Sequence, residues 1–551
     1  MISRENPAGW EWTLAPGIPR ESLEPVLAAF PELGTLEGAT VLKENRFRTV
    51  FRIDPDALPG APETPVLRDG VIAKCYRYLK SWDRQRYRFL RSRAEQEWLA
   101  LLRFAAAGIP TGSALAVASH RAGALLDGGG LIVRYLPGAS PLSEALAAPT
   151  RAARLLAEAG ALVRRMHDAG IRHRDLHAEN LLVCGPEERI HIIDLHSCLF
   201  RRRVSPRQRR LGLARLVQSL GHIVPAEELR LLVASYGVET LGGGDLEASW
   251  KSIRRRADAL EKTRLRSRSK RCFIDSTSFA VVRRPGLRLY HARTHAADEL
   301  EALSREGPGA MSRVEPLARG WTGVGDTSAG HVRVKRRSYG LLERLGSIVS
   351  SHPLRRAYAA GHALRVRGIP TPRVIALREK RRLGFVVESD LYTEHREDSP
   401  SIEEHLGREH GGRERAAGDR ARSRHRLAAA AGEVIRRLHD AGYSPPGLSP
   451  RALLVSGLPG DGNAPRIEVS ELDGARARKR MPKRLRRRSL VQAATFRGAP
   501  VSAADLLRAW RAYAGPGGSR ASRDEIRRLA REILDGRLRV LEDLLRGERA
   551  D

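Results

Sequence analysis

The eight residues HRDLHAEN at positions 173–180 constrain this chain more than any other stretch. Asp175 and Asn180 lie five residues apart, and a second aspartate, Asp194, follows an apolar strand after a short predicted hairpin. Phosphoryl transfer requires metal ions held against nucleotide phosphates and an acceptor hydroxyl aimed in line at the γ-phosphorus. We therefore predict that Asp175 is the catalytic base and that Asn180 and Asp194 bind Mg²⁺.

The segments around this loop have the order that a kinase motif requires. Apolar spacing predicts a helix over Leu155–Arg165, and Gly170 ends the helical segment before the loop. The strand Leu181–Val183, a turn and the strand Ile190–Ile193 then lead to the metal aspartate. The motif in this context predicts a bilobal, protein-kinase-like fold of the α+β class.

A lysine and a glutamate upstream complete the predicted nucleotide site. Lys74 ends the apolar strand that begins at Val71, where a kinase places the lysine that contacts the α- and β-phosphates. The predicted helix Ser92–Phe104 carries Glu97, which we expect to orient that lysine, with Glu95 as the alternative.

The first predicted hairpin lacks the glycine-rich loop that covers phosphates in many kinases. Lys43 and Arg48 occupy it, and we predict that they neutralise phosphate charge; an exposed basic turn is the alternative. Further on, the apolar strand Leu131–Val133 runs into Pro137 and Gly138, which predicts an interlobe hinge for the adenine.

The second half of the chain repeats the first. Leu438–Gly442 matches Met166–Gly170, and the segment GIPT occurs at both 108–111 and 368–371. A repeat this long indicates a duplicated domain rather than a solenoid. We predict an N-terminal extension at 1–34, a kinase-like domain at 35–275 with its N-lobe ending near 137, and a degenerate copy at 276–551 with a charged, flexible insertion at about 403–424.

The copy has lost the residues that phosphoryl transfer requires. Only Lys335 matches a first-half site residue, at the position of Lys74. The other positions, aligned on flanking matches, give the following replacements: His173 by Pro445, Asp175 by Gly447, Asn180 by Ala452, Asp194 by Glu471 and Glu97 by Ala357. This pattern predicts a pseudokinase-like second domain.

Composition limits the partners and the compartment. The formal net charge of +33 favours polyanionic partners, such as an anionic membrane face or a phosphorylated glycolipid, and no motif of an RNA-binding fold appears. Four cysteines without metal-ligand spacing, and an N-terminus without an apolar signal region, predict a cytosolic protein.

Several motifs resemble the bacterial lipopolysaccharide core kinases, the Kdo and heptose kinase family. They are the catalytic loop followed by Asp194-Leu195-His196, the hairpin pattern Lys43-x-Asn45-x-x-Arg48, Glu97-Trp98 before Gly108-Ile109-Pro110, and the basic run around Ser267–Cys272. The resemblance covers roughly residues 35–275, with a degraded copy over the rest. It implies a kinase that uses ATP and Mg²⁺ to phosphorylate a sugar hydroxyl of the lipopolysaccharide core.

The same resemblance implies site roles and partners. Asp175 is then the base, Asn180 and Asp194 bind metal, and Lys74 with Glu97 holds ATP; His177 either donates to the transferring phosphate or holds the loop. The acceptor is then an anionic glycolipid, met at the inner face of the cytoplasmic membrane through peripheral contact, and no specific nucleic acid is expected.

Three other functions stay open from the sequence. A small-molecule kinase of the aminoglycoside or fructosamine type shares the pattern Asp-Leu-His-x-x-Asn and acts on a soluble acceptor. A RIO-like protein kinase phosphorylates serine or threonine. A nucleotide-binding pseudokinase scaffold transfers no phosphate.

Overall fold

A computed structural model describes residues 4–5, 9–79, 90–123, 125–346, 351–397, 399–411, 417–456, 465–496 and 501–515, with the single residues Gln85, Tyr87, Arg531 and Asp535. The chain divides into two compact units, Met1–Thr263 and Arg264–Asp551.

The first unit begins with an antiparallel sheet in which seven strands are described. They are β1 (Arg4–Glu5), β2 (Trp10–Leu14), β3 (Ala39–Asn45), β4 (Arg48–Ile53), β5 (Val71–Arg77), β6 (Ala114–Ala122) and β7 (Leu125–Arg134). Their order is β1-β2-β6-β7-β5-β4-β3. In β4, Thr49, Phe51 and Ile53 are buried and alternate with less buried residues, as expected for a strand with two different faces.

Residues before position 34 form part of this sheet. Trp12 pairs with Ala118 of β6, and both Trp10 and Trp12 are buried against Phe30. Tryptophan side chains bury a large apolar area, so this packing fixes the N-terminal strand to the lobe. The segment that the sequence suggested as an extension therefore supplies strands β1 and β2 and buried residues that share a core with the sheet.

The rest of the first unit is mainly helical. Its helices are α1 (Glu24–Ala29), α2 (Arg93–Ala106), α3 (Leu142–Ala145), α4 (Pro149–Asp168), α5 (Pro206–Leu220), α6 (Leu229–Tyr236) and α7 (Leu246–Ser269), the last of which contains the unit boundary. Short strands carry the loop region: β8 (Ser140–Pro141), β9 (Ile171–His173), β10 (Leu181–Cys184), β11 (Arg189–Ile192) and β12 (Cys198–Phe200). Helix α4 buries one apolar face, and Gly170 follows it in the left-handed conformation at φ 73°.

The second unit repeats this sheet. Its strands are β13 (Phe279–Arg284), β14 (Leu287–Ala292), β15 (Ser312–Leu317), β16 (Gly320–Thr327), β17 (Gly330–Ser338), β18 (Val374–Arg382) and β19 (Phe385–Glu394), followed by the hairpin β20 (Leu453–Ser456) and β21 (Arg466–Val469). The sheet order is β13-β14-β18-β19-β17-β16-β15, the same as in the first unit. The duplication therefore includes the N-terminal strands as well as the segments visible in the sequence.

Helices complete the second unit. They are α8 (Ala297–Glu306), α9 (Leu341–Gly346), α10 (Pro353–Val366), α11 (Ile402–Gly411), α12 (Ala417–Asp440), α13 (Lys483–Ala493) and α14 (Ala503–Ala514). The segment 403–424, which we predicted as a flexible insertion, is helical in α11 and in the start of α12, and residues 412–416 of it lie outside the described residues. Within the described part of the chain, no helix has the length and apolar character needed to cross a membrane.

Both units keep the same polar network in the helical lobe. In the first unit, the His167 Nδ1 atom lies 2.9 Å from the Tyr236 hydroxyl, and Arg209 donates to Asp168 at 2.6 Å and to Tyr236 at 3.1 Å. The second unit has the corresponding contacts: His439 with Tyr513 at 3.0 Å, and Arg486 with Asp440 at 3.2 Å and Tyr513 at 3.4 Å. Buried polar groups need such partners, so this network survived in both copies as part of the scaffold.

Candidate active site

Lys74 and Glu97 form a largely buried ion pair in the first unit. The Lys74 Nζ atom lies 2.6 Å from Glu97 Oε1, and the side chains are 13% and 2% exposed. The Tyr76 hydroxyl donates to the other carboxylate oxygen, Oε2, at 2.6 Å. Both glutamate oxygens are therefore engaged, and the lysine amine is held in a fixed position beneath the sheet.

The alternative glutamate, Glu95, has a different task. Its side chain accepts a hydrogen bond from the Ser92 amide at 2.6 Å, while Ser92 Oγ accepts one from the Glu95 amide at 3.1 Å. This reciprocal pair is a capping box that begins helix α2. Since Glu95 caps the helix, Glu97 is the residue that contacts Lys74.

The first hairpin brings Arg48 to Asp194. Asn45 Oδ1 accepts hydrogen bonds from the amides of Phe47 and Arg48, at 2.9 and 3.0 Å, and so shapes the turn. The Arg48 Nη1 atom then lies 3.1 Å from Asp194 Oδ1. A contact between residues 146 positions apart thus links the sheet to the end of the β10–β11 hairpin.

Asp194 is held through one of its two carboxylate oxygens. Its Oδ1 atom accepts from Arg48 and also from His196 Nδ1 at 2.7 Å, whereas no hydrogen bond to Oδ2 is found among the described residues. Burial opposes ionisation, but the His196 hydrogen bond and the charges of Lys74 and Arg48 outweigh it and hold the pKa of Asp194 well below its usual range. Asp194 is therefore an anion with one oxygen free for a ligand.

The catalytic loop is tied to the same strand end. The buried His173 accepts from the Asp175 amide through Nδ1 at 3.1 Å, and its Nε2 lies 3.3 Å from the Ile193 carbonyl. Those partners assign the tautomer with the proton on Nε2. Burial is the main cause of a lowered pKa at His173, which keeps the ring neutral in this role.

Asn180 closes the loop. Its side-chain amide donates to the Asp175 carbonyl at 2.9 Å, and its own carbonyl accepts from the Ile193 amide at 3.0 Å. The first bond fixes the direction of the side chain and leaves the amide oxygen Oδ1 without a hydrogen bond among the described residues. Asp175, Asn180 and Asp194 are thus linked by backbone bonds.

His177 and Lys43 lie nearer to solvent. The His177 Nε2 atom is 3.6 Å from Asp175 Oδ2, and this neighbour lowers the pKa of the Asp175 carboxyl. Lys43 is exposed on the edge strand β3, opposite Val50, which in turn lies opposite Lys74. Residues directly opposite in a sheet share a face, so Lys43, Arg48 and Lys74 all lie on one face.

The corresponding site of the second unit has different chemistry. Strand register equates Leu453 with Leu181 and Val469 with Ile192, which puts Glu471 at the position of Asp194. Lys335 Nζ lies 3.0 Å from Glu471 Oε2 and 2.6 Å from Asp473 Oδ2. Its burial is outweighed by these two carboxylates, which raise the pKa of Lys335. The retained lysine is therefore paired with Glu471, at the position of Asp194, and with Asp473 instead of with a helix glutamate.

The hairpin of the second unit has lost the two cations that share a face with Lys74 in the first unit. Thr322 lies opposite Lys335 just as Val50 lies opposite Lys74, and this register equates Gly320 with Arg48 and Glu315 with Lys43. One cation has been removed and another has been replaced by an anion. Since phosphate groups are anionic, these two positions no longer attract them.

Two residues of the site were given no role by the sequence reasoning. Tyr76 lies two positions after Lys74 in the same strand, and strand periodicity places both side chains on one face. His196 stands two positions after Asp194, within the quoted motif. Each residue could have been predicted from its position two residues after a predicted site residue. The contacts that it makes, Tyr76 with Glu97 and His196 with Asp194, are seen only in the folded structure.

Comparison with protein families gives two matches along the chain. A family model described as "Lipopolysaccharide kinase (Kdo/WaaP) family" matches residues 73–236 and again residues 347–513, which together make up more than half of the chain. The chain belongs to this family. It is a phosphotransferase with a hydroxyl acceptor, built as two kinase-like copies, and the recognition of the family and of the duplicated fold from sequence is confirmed. No curated protein matches the chain at a significant level.

The chain is also similar to several solved structures, three of which follow. "WaaP in complex with acyl carrier protein" is 21% identical, covers 45% of this chain and 98% of its own, and has a TM-score of 0.33. The aminoglycoside phosphotransferase APH(3'')-Id from Streptomyces rimosus is 15% identical, with coverages of 44% and 98% and a TM-score of 0.29. The bifunctional kinase-methyltransferase WbdD is 17% identical, with coverages of 34% and 41% and a TM-score of 0.24.

Proposed function

We propose that the first unit transfers the γ-phosphoryl group of ATP, with Mg²⁺, to a sugar hydroxyl of a lipopolysaccharide core or a related anionic glycolipid. The observation that carries this proposal is the Lys74–Glu97 ion pair standing beside Asp194, within a unit that also keeps Asp175 and Asn180. Family membership supports the glycolipid acceptor.

The donor atoms of the site fit Mg²⁺. Asp194 Oδ2 and Asn180 Oδ1 are hard oxygen donors, the type that Mg²⁺ prefers, and both are left free by the contacts that orient their side chains. Metal-ligand atoms of Glu97, Asp194 and His196 also lie within 4.8 Å of one another. The Glu97 carboxylate, however, already forms an ion pair with Lys74. Bound metal would neutralise phosphate charge and align the transferring group.

The protein groups have separate tasks in this proposal. Lys74 binds the nucleotide phosphates, and Lys43 and Arg48 add positive charge on the same sheet face. Asp175, exposed and with a lowered pKa, is ionised at neutral pH and accepts the proton of the acceptor hydroxyl. His177 beside it holds the orientation of that carboxylate.

We propose that the second unit is a pseudokinase and transfers no phosphate. Gly447 and Ala452 replace the base and the asparagine, and Glu315 and Gly320 replace the two hairpin cations. Any nucleotide would also have to separate Lys335 from Glu471 and Asp473. The protein as a whole, with its net charge of +33, is proposed to act in the cytoplasm, in peripheral contact with the anionic inner membrane face.

The test measures phosphate transfer from labelled Mg-ATP into three pools: lipopolysaccharide core acceptors, the protein itself, and a panel of soluble sugars and aminoglycosides. We expect label in the glycolipid only, and none with the Asp175→Asn variant. Label confined to soluble sugars or to protein would reassign the acceptor. Nucleotide binding without transfer to any pool would support a scaffold.

His196 provides a test of the metal assignment. His196→Leu removes the hydrogen bond to Asp194 Oδ1, and losing a bond to a charged group costs about 1.5–3 kcal/mol. We therefore expect the Mg²⁺ concentration for half-maximal activity to rise about tenfold or more, with little change in metal-free ATP binding. His196→Asn keeps an N–H donor near the same place and should stay within about threefold of the wild type. Equal effects of both variants would show that the hydrogen bond does not orient Asp194.

A further inference from the structure

An open pocket of about 420 Å³ lies between helices α5 and α7 of the first unit. Four arginines, Arg207, Arg210, Arg255 and Arg256, line it together with Ser252 and Ala259. The proposed reaction leaves these residues without a role, because none of them contacts the lysine, the glutamate or the metal aspartate. Four like charges around one pocket repel each other, so the arrangement needs an explanation.

The arginines of this pocket are not neutralised by carboxylates in the part of the chain that the structure describes. Arg210 donates to the backbone carbonyl of Leu241, and no ion pair is found for the other three. The nearest acids along α7 have other partners: Asp258 lies 3.7 Å from Arg254, and Glu261 contacts Gln218 and His222. The pocket is therefore a concentration of positive charge.

A second group of arginines connects this pocket to the catalytic loop. Arg215 of α5 donates to the carbonyl of Arg174, the residue immediately before Asp175. Burial lowers the pKa of Arg215, the charges of Arg172, Arg174 and Arg256 lower it further, and Asp175 opposes them. Arg256 lines the pocket and its charge also lowers the pKa of Arg215, so the positive charge of the pocket acts on the arginine that contacts the catalytic loop.

The geometry of α5 gives the length of this path. Arg207 and Arg215 are eight residues apart, which places them on one face of the helix and separates them by about 12 Å at 1.5 Å per residue. Arg207, at one end of the pocket, therefore lies about two helical turns from the arginine that contacts the residue before Asp175. The distance suits an oligosaccharide that carries an anionic substituent on another sugar.

We propose that the pocket formed by Arg207, Arg210, Arg255 and Arg256 is an acceptor subsite that binds a phosphate or carboxylate substituent of the oligosaccharide whose hydroxyl reaches Asp175. Guanidinium groups suit this task because their planar donors pair with phosphate and carboxylate oxygens. The inference rests on the proposed function and extends it by naming the residues that bind the negatively charged substituent of the acceptor.

The test compares two double variants that lower the net charge equally. Arg207→Gln with Arg255→Gln alters the pocket, and Arg68→Gln with Arg121→Gln removes two exposed arginines elsewhere in the same unit. With phosphorylated core oligosaccharide, we expect the acceptor KM of the pocket variant to rise about tenfold or more, while its kcat and its KM for ATP stay within about twofold. The control variant should match the wild type.

Three further measurements decide the interpretation. With dephosphorylated, carboxylate-reduced core, the pocket variant and the wild type should have the same KM. Calorimetry without ATP should show that the pocket variant binds the phosphorylated core about tenfold more weakly than the wild type. This result would support the subsite even if the wild type transferred no phosphate to glycolipid. In that case only the proposed function would fail. The third measurement is binding of the pocket variant to vesicles of anionic phospholipid. If the pocket variant keeps the acceptor KM and the core affinity of the wild type, the subsite is overturned, whether or not the variant loses binding to the vesicles.

Discussion

Asp175→Asn is expected to lower kcat about 10²- to 10⁴-fold, the usual contribution of a positioned general base, while nucleotide binding changes little. The side chain of Asp175 is oriented by His177, and its backbone is fixed by His173 and Asn180. None of these contacts includes Lys74 or Glu97, which hold the nucleotide in our proposal. Asparagine has the same shape but cannot accept the proton of the acceptor hydroxyl.

The matched control for this variant is Glu179→Gln. Glu179 is exposed on the same loop, and its carboxylate accepts from Ser143, so the change removes the same charge without affecting the base. We expect its kcat to remain within about twofold of the wild type. Single-turnover transfer and ATP binding, measured on both variants, separate chemistry from binding. Full activity of Asp175→Asn would remove Asp175 from the mechanism.

Asp194→Asn is expected to abolish Mg²⁺-dependent nucleotide binding and to lower turnover by at least about 10²-fold. Metal ions contribute several kcal/mol of charge stabilisation in phosphoryl transfer, and each 1.36 kcal/mol corresponds to a factor of ten in rate. The amide keeps an acceptor for His196 and Arg48 but loses the negative charge. A thermal denaturation curve should show that the variant remains folded.

Glu471→Gln is the matched variant in the second unit. Strand register places Glu471 at the position of Asp194, but its carboxylate is paired with Lys335. We expect turnover to change less than about twofold, because the second unit lacks a base and a metal-binding asparagine. Equal losses in Asp194→Asn and Glu471→Gln would contradict the assignment of one active and one inactive unit. ATP titrations of both variants, with and without Mg²⁺, complete the comparison.

The local patterns of the sequence determined the kinase-like fold and supplied the residues that we propose for the site. The loop spacing from His173 to Asn180, the short hairpin before Asp194 and the lysine at the end of an apolar strand are each contained within a few residues. Such short-range patterns constrain the backbone directly, because strand and turn geometry repeat over two to four residues. The segment GIPT at 108–111 and 368–371 likewise revealed the duplication.

The choice between Glu95 and Glu97 depended on the folded structure. Both residues lie in the first two turns of one helix, and the sequence favours either as an acidic partner. The capping box engages Glu95 at the helix end, and only the packing of α2 against the sheet brings Glu97 to Lys74. Contacts of this kind join segments that are distant in sequence, so local spacing does not specify them.

The N-terminal strands show the same limit. The sequence suggested an extension at 1–34, yet β2 pairs with β6 more than 100 residues later in the chain. The sheet supplies the hydrogen-bond partners and the apolar surface that make the segment a strand. The identical strand order in the second unit could not be predicted from the sequence either, because the N-terminal strands of the two units show no clear residue match.

The first hairpin gives the clearest division between sequence and structure. The sequence determined that Lys43 and Arg48 stand in it, but a bulge between Val41 and Lys43 shifts the register by one residue. Without the bulge, Leu42 would lie opposite Val50, and Lys43 would be on the other face of the sheet. Because side chains alternate with a period of two, a one-residue shift reverses the face of every side chain beyond it. The tertiary structure alone therefore decided that both cations face the same side as Lys74, and that Arg48 reaches Asp194.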